Sequence, residues 1–155
     1  MKLGDLEFHI LVDGKVHLDG GAMFGVVPKV LWEKKAPADA RNRIELALNC
    51  LLIRAGGKNI LVETGAGGKM SPKLRDIYGL DGPFLNDRLR EYGLDVTEID
   101  IVINTHLHFD HCGGNTRVVG DKVVATYPNA RYVVQRGEFE HAASERARYG
   151  ELFPG

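Results

Sequence analysis

Hydrophobic and polar positions alternate in blocks that predict strands first, then helices between strands. Glu7 to Val12 (EFHILV) has the composition of a strand, Asp13-Gly14 that of a tight turn, and Lys15 to Leu18 that of the return strand. Gly20 to Pro37 mixes glycine, proline and aromatics, which predicts a long ordered loop with a short helical piece around Val30 to Lys34. Glu45 to Arg54 (ELALNCLLIR) is apolar on both faces, as a buried strand should be, and Gly56-Gly57 turns it into Ile60 to Glu63. Ser71-Pro72 opens a helix that Gly79 closes. A second helix, Pro83 to Tyr92, carries Leu85, Leu89 and Tyr92 on one stripe and ends at Gly93. Ile101 to Asn104 is a short buried strand. Lys122 to Thr126 and Arg131 to Gln135 are strands around a turn at Pro128-Asn129, and Glu138 to Arg148 is a polar-faced helix. Together these elements predict one α/β domain over residues 1–155, a mixed sheet flanked by helices.

Composition narrows the function more than the fold. The chain is 44% hydrophobic and 26% charged, ordinary values for a soluble globular protein. A net charge of −1 gives no field to draw it to nucleic acid or anionic lipid. The longest apolar stretches are strand-sized, too short for a transmembrane helix. Lys2, Asp5 and Glu7 recur too early for a signal-peptide apolar region. Cys50 and Cys112 form no CxxC pair and no disulfide framework, so a reducing cytoplasm is expected.

The chemistry concentrates in Thr105 to Asn115, THLHFDHCGGN. Zinc and similar ions take imidazole nitrogen and carboxylate oxygen, and catalytic sites keep a position open for water. In an extended segment leaving a strand, His106 and His108 project to one side and can reach one metal, with Leu107 and Phe109 turned toward the core. Asp110 and His111 follow as the chain turns, within reach of a second metal, and Gly113-Gly114 gives the bend room. Between two metals roughly 3.5–4 Å apart a bridging water ionises near neutral pH and becomes a nucleophile. Asp110 then both holds a metal and shuttles the proton. Unrelated surface histidines are the plainer reading, but three His and one Asp within six residues, just after a buried strand, favour the metal centre. Zinc is the expected ion, although these donors also suit iron, manganese or cobalt.

H-x-H-x-D-H followed by Gly-Gly, after an apolar strand and Thr105, resembles the signature of the metallo-β-lactamase superfamily. The wording HLHFDHCGGN is especially similar to that of N-acyl-homoserine lactonases. ILVETG (Ile60 to Gly65), where the family usually has Asp-Thr-Gly, and YVVQRGEFE (Tyr132 to Glu140) are supporting matches. The resemblance implies that His106 and His108 bind one metal and Asp110 and His111 the other. It puts Glu63 and Thr105 behind the ligands, with Glu63 positioning the ligand loop. It implies the αββα sandwich of the family and a small-molecule lactone or ester as substrate. Family members carry a further His ligand, a bridging Asp and a final His beyond the positions present here. The chain therefore corresponds to the N-terminal half of the family domain. Such a half is expected to leave a sheet face uncovered and to associate with another chain or a C-terminal half.

Other signals are set aside. Gly65 to Lys69 (GAGGK) lacks the residues of a P-loop or a dinucleotide fingerprint at Glu63 and Met70, so it is a turn. Cys112 is expected to pack beside the ligand loop and Cys50 in the core. His9 and His17 lack partners at ligand spacing, and His141 falls on a solvent-facing helix position. Met23, Phe24, Val26 and Val27 form an apolar loop segment, either ordinary packing or the lining of an acyl pocket. The leading functional expectation is a metal-dependent hydrolase that opens a lactone or related ester. Thioester, β-lactam and phosphotriester cleavage, and a non-catalytic half-domain that binds metal or a partner chain, are the alternatives. A nuclease is disfavoured by the absence of a basic patch.

Overall fold

A computed structural model describes residues 1–149; residues 150–155 of the expected domain lie outside it. Two long strands, β2 (Leu6–Asp19) and β3 (Arg43–Ala55), pair antiparallel, with the short β1 (Lys2–Leu3) on the outer edge of β2. The turn expected at Asp13-Gly14 is not there. The chain runs straight through, and the register slips between Val12↔Asn49 and Lys15↔Ala47, so Asp13 and Gly14 together oppose Leu48. This is a β-bulge, the other conformation that a strand-flanked Asp-Gly serves. Gly14 is required by it: φ is 150°, and a Cβ would lie 1.8 Å from the Asp81 carbonyl oxygen.

The segment after β2 forms two short helices rather than a loop with one helical piece: α1 (Gly20–Phe24) and α2 (Lys29–Trp32). Asp19 caps α1 by accepting the Ala22 amide at 2.8 Å, and the buried Trp32 ring stacks on Phe24 at 4.9 Å. After β3 the chain turns into β4 (Lys58–Val62). It then crosses through α3 (Pro72–Ile77), capped by Ser71, and α4 (Leu85–Glu91) to reach β5 (Ile101–Ile103). A one-turn helix α5 (Phe109–Cys112) follows, then a separate hairpin of β6 (Thr116–Val119) and β7 (Lys122–Ala125). Strand β6 is an element the sequence reading did not anticipate. β8 (Arg131–Val133) and α6 (Arg136–Tyr149) complete the described chain. The main sheet has the order β1-β2-β3-β4-β5-β8, antiparallel through β4 and parallel from β4 to β8. This is the mixed sheet flanked by helices that the residue pattern predicted.

Register sorts the sheet into two faces. Leu11 faces Cys50, and Leu52, Leu61 and Val102 align in one row; all are at most 2% exposed beneath Leu85, Leu89, Leu94, Ile99 and Tyr127. Burying one such leucine contributes about 1.5–3 kcal/mol. The opposite row, Ile10, Leu51, Val62, Ile103 and Val133, is also apolar but only partly covered, with Ile10 61% and Val133 42% exposed. The expectation that β3 is buried on both faces is therefore corrected. Its core residues are Ile44, Leu48, Cys50 and Leu52, while Leu51 and Ile53 stay half-buried because no second layer packs on them among the described residues. Nor is any described helix long and apolar enough to cross a membrane.

Candidate metal centre

The parallel strands β4 and β5 deliver their C-terminal ends to one place. β5 ends at Ile103, and Asn104 and Thr105 lead into an extended stretch that reaches α5 at Phe109. Along that stretch the rings of His106 and His108 lie edge to face with centroids 4.6 Å apart. α5 then brings His111 back over the strand end, its ring centroid 4.0 Å from that of His106. Asp110 Oδ2 stands 3.4 Å from His111 Nε2. His108 is exposed and the other three are half-buried, so the cluster opens to solvent on one side. Phe109 turns away as expected and packs on Tyr78 at 4.6 Å, beside the buried Val16, Leu48 and Ala66. Leu107 instead lines an open groove next to β8.

Behind the cluster stands Glu63, 7% exposed, at the end of β4. Its φ of 64° is one that residues other than glycine rarely adopt, a strain of about 1–3 kcal/mol. Oε1 accepts the Thr105 amide at 2.8 Å, which ties the exit of β5 to the exit of β4. Oε2 is buried without a hydrogen-bond partner, 3.5 Å from His111 Nδ1. Thr105 Oγ1 sits 3.0 Å from His106 Nδ1, restraining that ring from the other side.

The donor set tests well against a divalent transition metal. Three imidazoles and a carboxylate are gathered at one strand end, and a buried carboxylate oxygen lacking a partner faces the imidazole it would orient. Among the described residues, however, no three His, Cys, Asp or Glu side chains converge as they stand to hold one ion.

Several residues that hold the cluster escaped the sequence reading. The His111 carbonyl accepts from the Thr64 amide at 2.8 Å, Thr64 Oγ1 at 3.3 Å and Asn104 Nδ2 at 3.3 Å. Asn115 completes this network through Asn104 Oδ1 at 2.7 Å and Thr64 Oγ1 at 3.0 Å. Glu138 on α6 accepts the Leu107 amide at 2.9 Å; it lies within the family match YVVQRGEFE, the only sequence signal that marked it. Gly113 and Gly114 press on the loop after β4 so closely that a Cβ would stand 2.2 Å from the Ala66 oxygen and 2.1 Å from the Thr64 oxygen. Lys69, the last residue of GAGGK, donates to the Gly113 and Thr116 carbonyls, and burial lowers its pKa.

The residues set aside fall as follows. Cys112 is half-buried and burial raises its thiol pKa; Cys50 is core. His9 pairs with Glu7 at 2.7 Å, and His17 Nδ1 lies 3.0 Å from the Gly79 oxygen. His141 is exposed on α6. Met23, Val26 and Val27 are exposed, while Phe24 is spent on Trp32.

A sequence profile of the Metallo-beta-lactamase superfamily matches residues 43–152. A curated N-acyl homoserine lactonase from Bacillus cereus is 28% identical over 128 residues, 70% of this chain and 44% of that protein. The structure of a probable metal-dependent hydrolase from Staphylococcus aureus superposes with a TM-score of 0.86 at 38% identity, covering 93% of this chain and 52% of that one. AidC, a dizinc quorum-quenching lactonase in complex with a product, N-hexanoyl-L-homoserine, superposes with a TM-score of 0.69 at 28% identity, covering 90% of this chain and 45% of its own. The chain spans about half the length of these relatives. With the profile covering most of its residues, the chain belongs to the metallo-beta-lactamase superfamily.

Proposed function

We propose that this chain is a metal-dependent hydrolase that opens lactone rings. The observation that carries the reading is the gathering of His106, His108, Asp110 and His111 at the end of β5, with the unpartnered Glu63 Oε2 behind them. In this reading His106 and His108 hold one divalent ion, and Asp110 and His111 the other, zinc being the first candidate. Bound metal supplies Lewis acidity, which acidifies water and polarises a carbonyl. The chain's own residues do the rest. Glu63 and Thr105 fix the imidazoles, and Asp110 Oδ2 takes the proton of the attacking water and returns it to the ring oxygen that leaves. The N-acyl homoserine lactonases among the relatives support a lactone as the substrate. Thioester, β-lactam and phosphotriester bonds are the competing choices for the same chemistry. The two free cysteines suit a reducing cytoplasm.

A second reading is favoured by the apolar face of Ile10, Leu51, Val62, Ile103 and Val133. A groove of about 710 Å³ also lies beside β8, between Leu107, Tyr132 and Phe139. Here the chain binds metal or a partner and completes its site only with a C-terminal half or another chain. Gel filtration combined with a lactone assay separates the two. Hydrolysis of an N-acyl homoserine lactone by a monomeric chain, lost on treatment with a chelator and restored by zinc, is the result expected of the first reading. Zinc binding without turnover until a second chain is supplied is the mark of the second. Turnover that survives exhaustive chelation contradicts both.

A further inference from the structure

The bulge in β2 turns Asp13 inward, where it is 1% exposed; among the described residues the other carboxylates, Glu63 apart, reach the surface more fully. No cation meets it. Its Oδ1 accepts the amides of Phe84 at 3.1 Å and Leu85 at 2.9 Å, and the amides of Ala66 and Gly67 pull on the same carboxylate. The two amides at the start of α4, with those of Ala66 and Gly67 nearby, offset part of the cost of burying it. Its surroundings still raise the Asp13 pKa, with burial the largest cause. Gly65 lies so close that a Cβ there would be 2.1 Å from Asp13 Oδ2.

The loop that carries Gly65 packs against the backbone at the end of the ligand segment. Gly65 bridges Cys112 and accepts the Gly114 amide at 3.2 Å. A Cβ on Gly67 would come within 2.7 Å of the Gly113 oxygen, and the neighbouring Thr64 donates to the His111 carbonyl at 2.8 Å. A continuous path of backbone contacts thus runs from Asp13 through Gly65–Gly67 to the residues that follow His111. We propose that Asp13 is a positioning residue for the metal centre, its carboxylate setting the height of the 64–67 loop and through it the placement of His111. The proposal rests on the metal-binding reading above.

The test is a zinc titration of the whole chain against a chromophoric chelator, comparing wild type, Asp13→Asn and Leu89→Ala. Leu89 is 0% exposed in the core and lies outside the 64–67 loop, so its variant reports what lost stability alone does. Asp13→Asn keeps the shape but removes one acceptor oxygen. It is expected to weaken zinc binding about tenfold or more, while Leu89→Ala stays within about twofold of wild type. Asn affinity within that same twofold, or a loss matched by Leu89→Ala, overturns the proposal. If Asp13→Asn does not fold, amide hydrogen exchange on the wild-type chain decides. Coupling is reciprocal, so zinc should slow exchange at Ala66, Gly67, Phe84 and Leu85. Slowing at Cys112 with no change at those four amides overturns it. A wild-type chain that binds no zinc refutes the metal reading itself, before any variant is compared.

Discussion

On the proposed lactonase reading, replacing His106 and His108 together by alanine is expected to abolish zinc affinity and lactone hydrolysis alike, hydrolysis falling by on the order of 10³-fold or more. The pair supplies two of the four donors, and their rings stand only 4.6 Å apart. Neither ring is core: His108 is exposed and His106 half-buried. The fold should therefore survive, with stability changed by no more than about 1 kcal/mol. Initial rates on an N-acyl homoserine lactone and a urea midpoint, taken on the same preparation, check both halves of the statement. Wild-type turnover in the double variant would mean that the reaction does not run through this cluster.

The second large effect is expected at a residue that is not a ligand. In Glu63→Gln, Oε1 still accepts from Thr105, but an amide nitrogen can replace the oxygen that faces His111 Nδ1 at 3.5 Å. A donor then meets a ring nitrogen that the carboxylate had oriented. Zinc affinity should fall about 10–100-fold, or roughly 1.4–2.7 kcal/mol. Glu63→Asp shortens the side chain by one methylene, keeps the charge and supplies the residue usual in the family, so it should retain most of the affinity. A competition titration on the three chains reads this out. Equal affinity for Gln and wild type would reduce Glu63 to a backbone tether for Thr105.

What could be read from the sequence was what lies close along it. THLHFDHCGGN carries its donors within six residues, and their clustering follows from an extended chain running into one helical turn. Helix α4 was legible from Leu85 and Leu89, since both sides of a helical stripe sit within one turn. Asp13-Gly14 was misread because the same dipeptide serves a hairpin turn and a bulge. The choice was made by β3, which pairs with β2 on both sides of the break. β6 was missed because only pairing with β7 makes a strand of Thr116–Val119. Glu138 is 31 positions from the amide it accepts, and Asp13 is 72 from one of its donors. No periodicity connects residues so far apart. The half-open sheet face was foreseen from the family resemblance rather than from β3 itself, whose apolar residues look alike on both sides.

The central claim, that these four side chains bind divalent metal, is tested most directly by elemental analysis. The chain and its His106→Ala plus His108→Ala variant are passed through gel filtration and dialysed briefly against metal-free buffer. The account predicts about two divalent ions per wild-type chain, zinc foremost, and their loss from the variant. A wild-type chain with no metal above background, or equal metal in both chains, would contradict it.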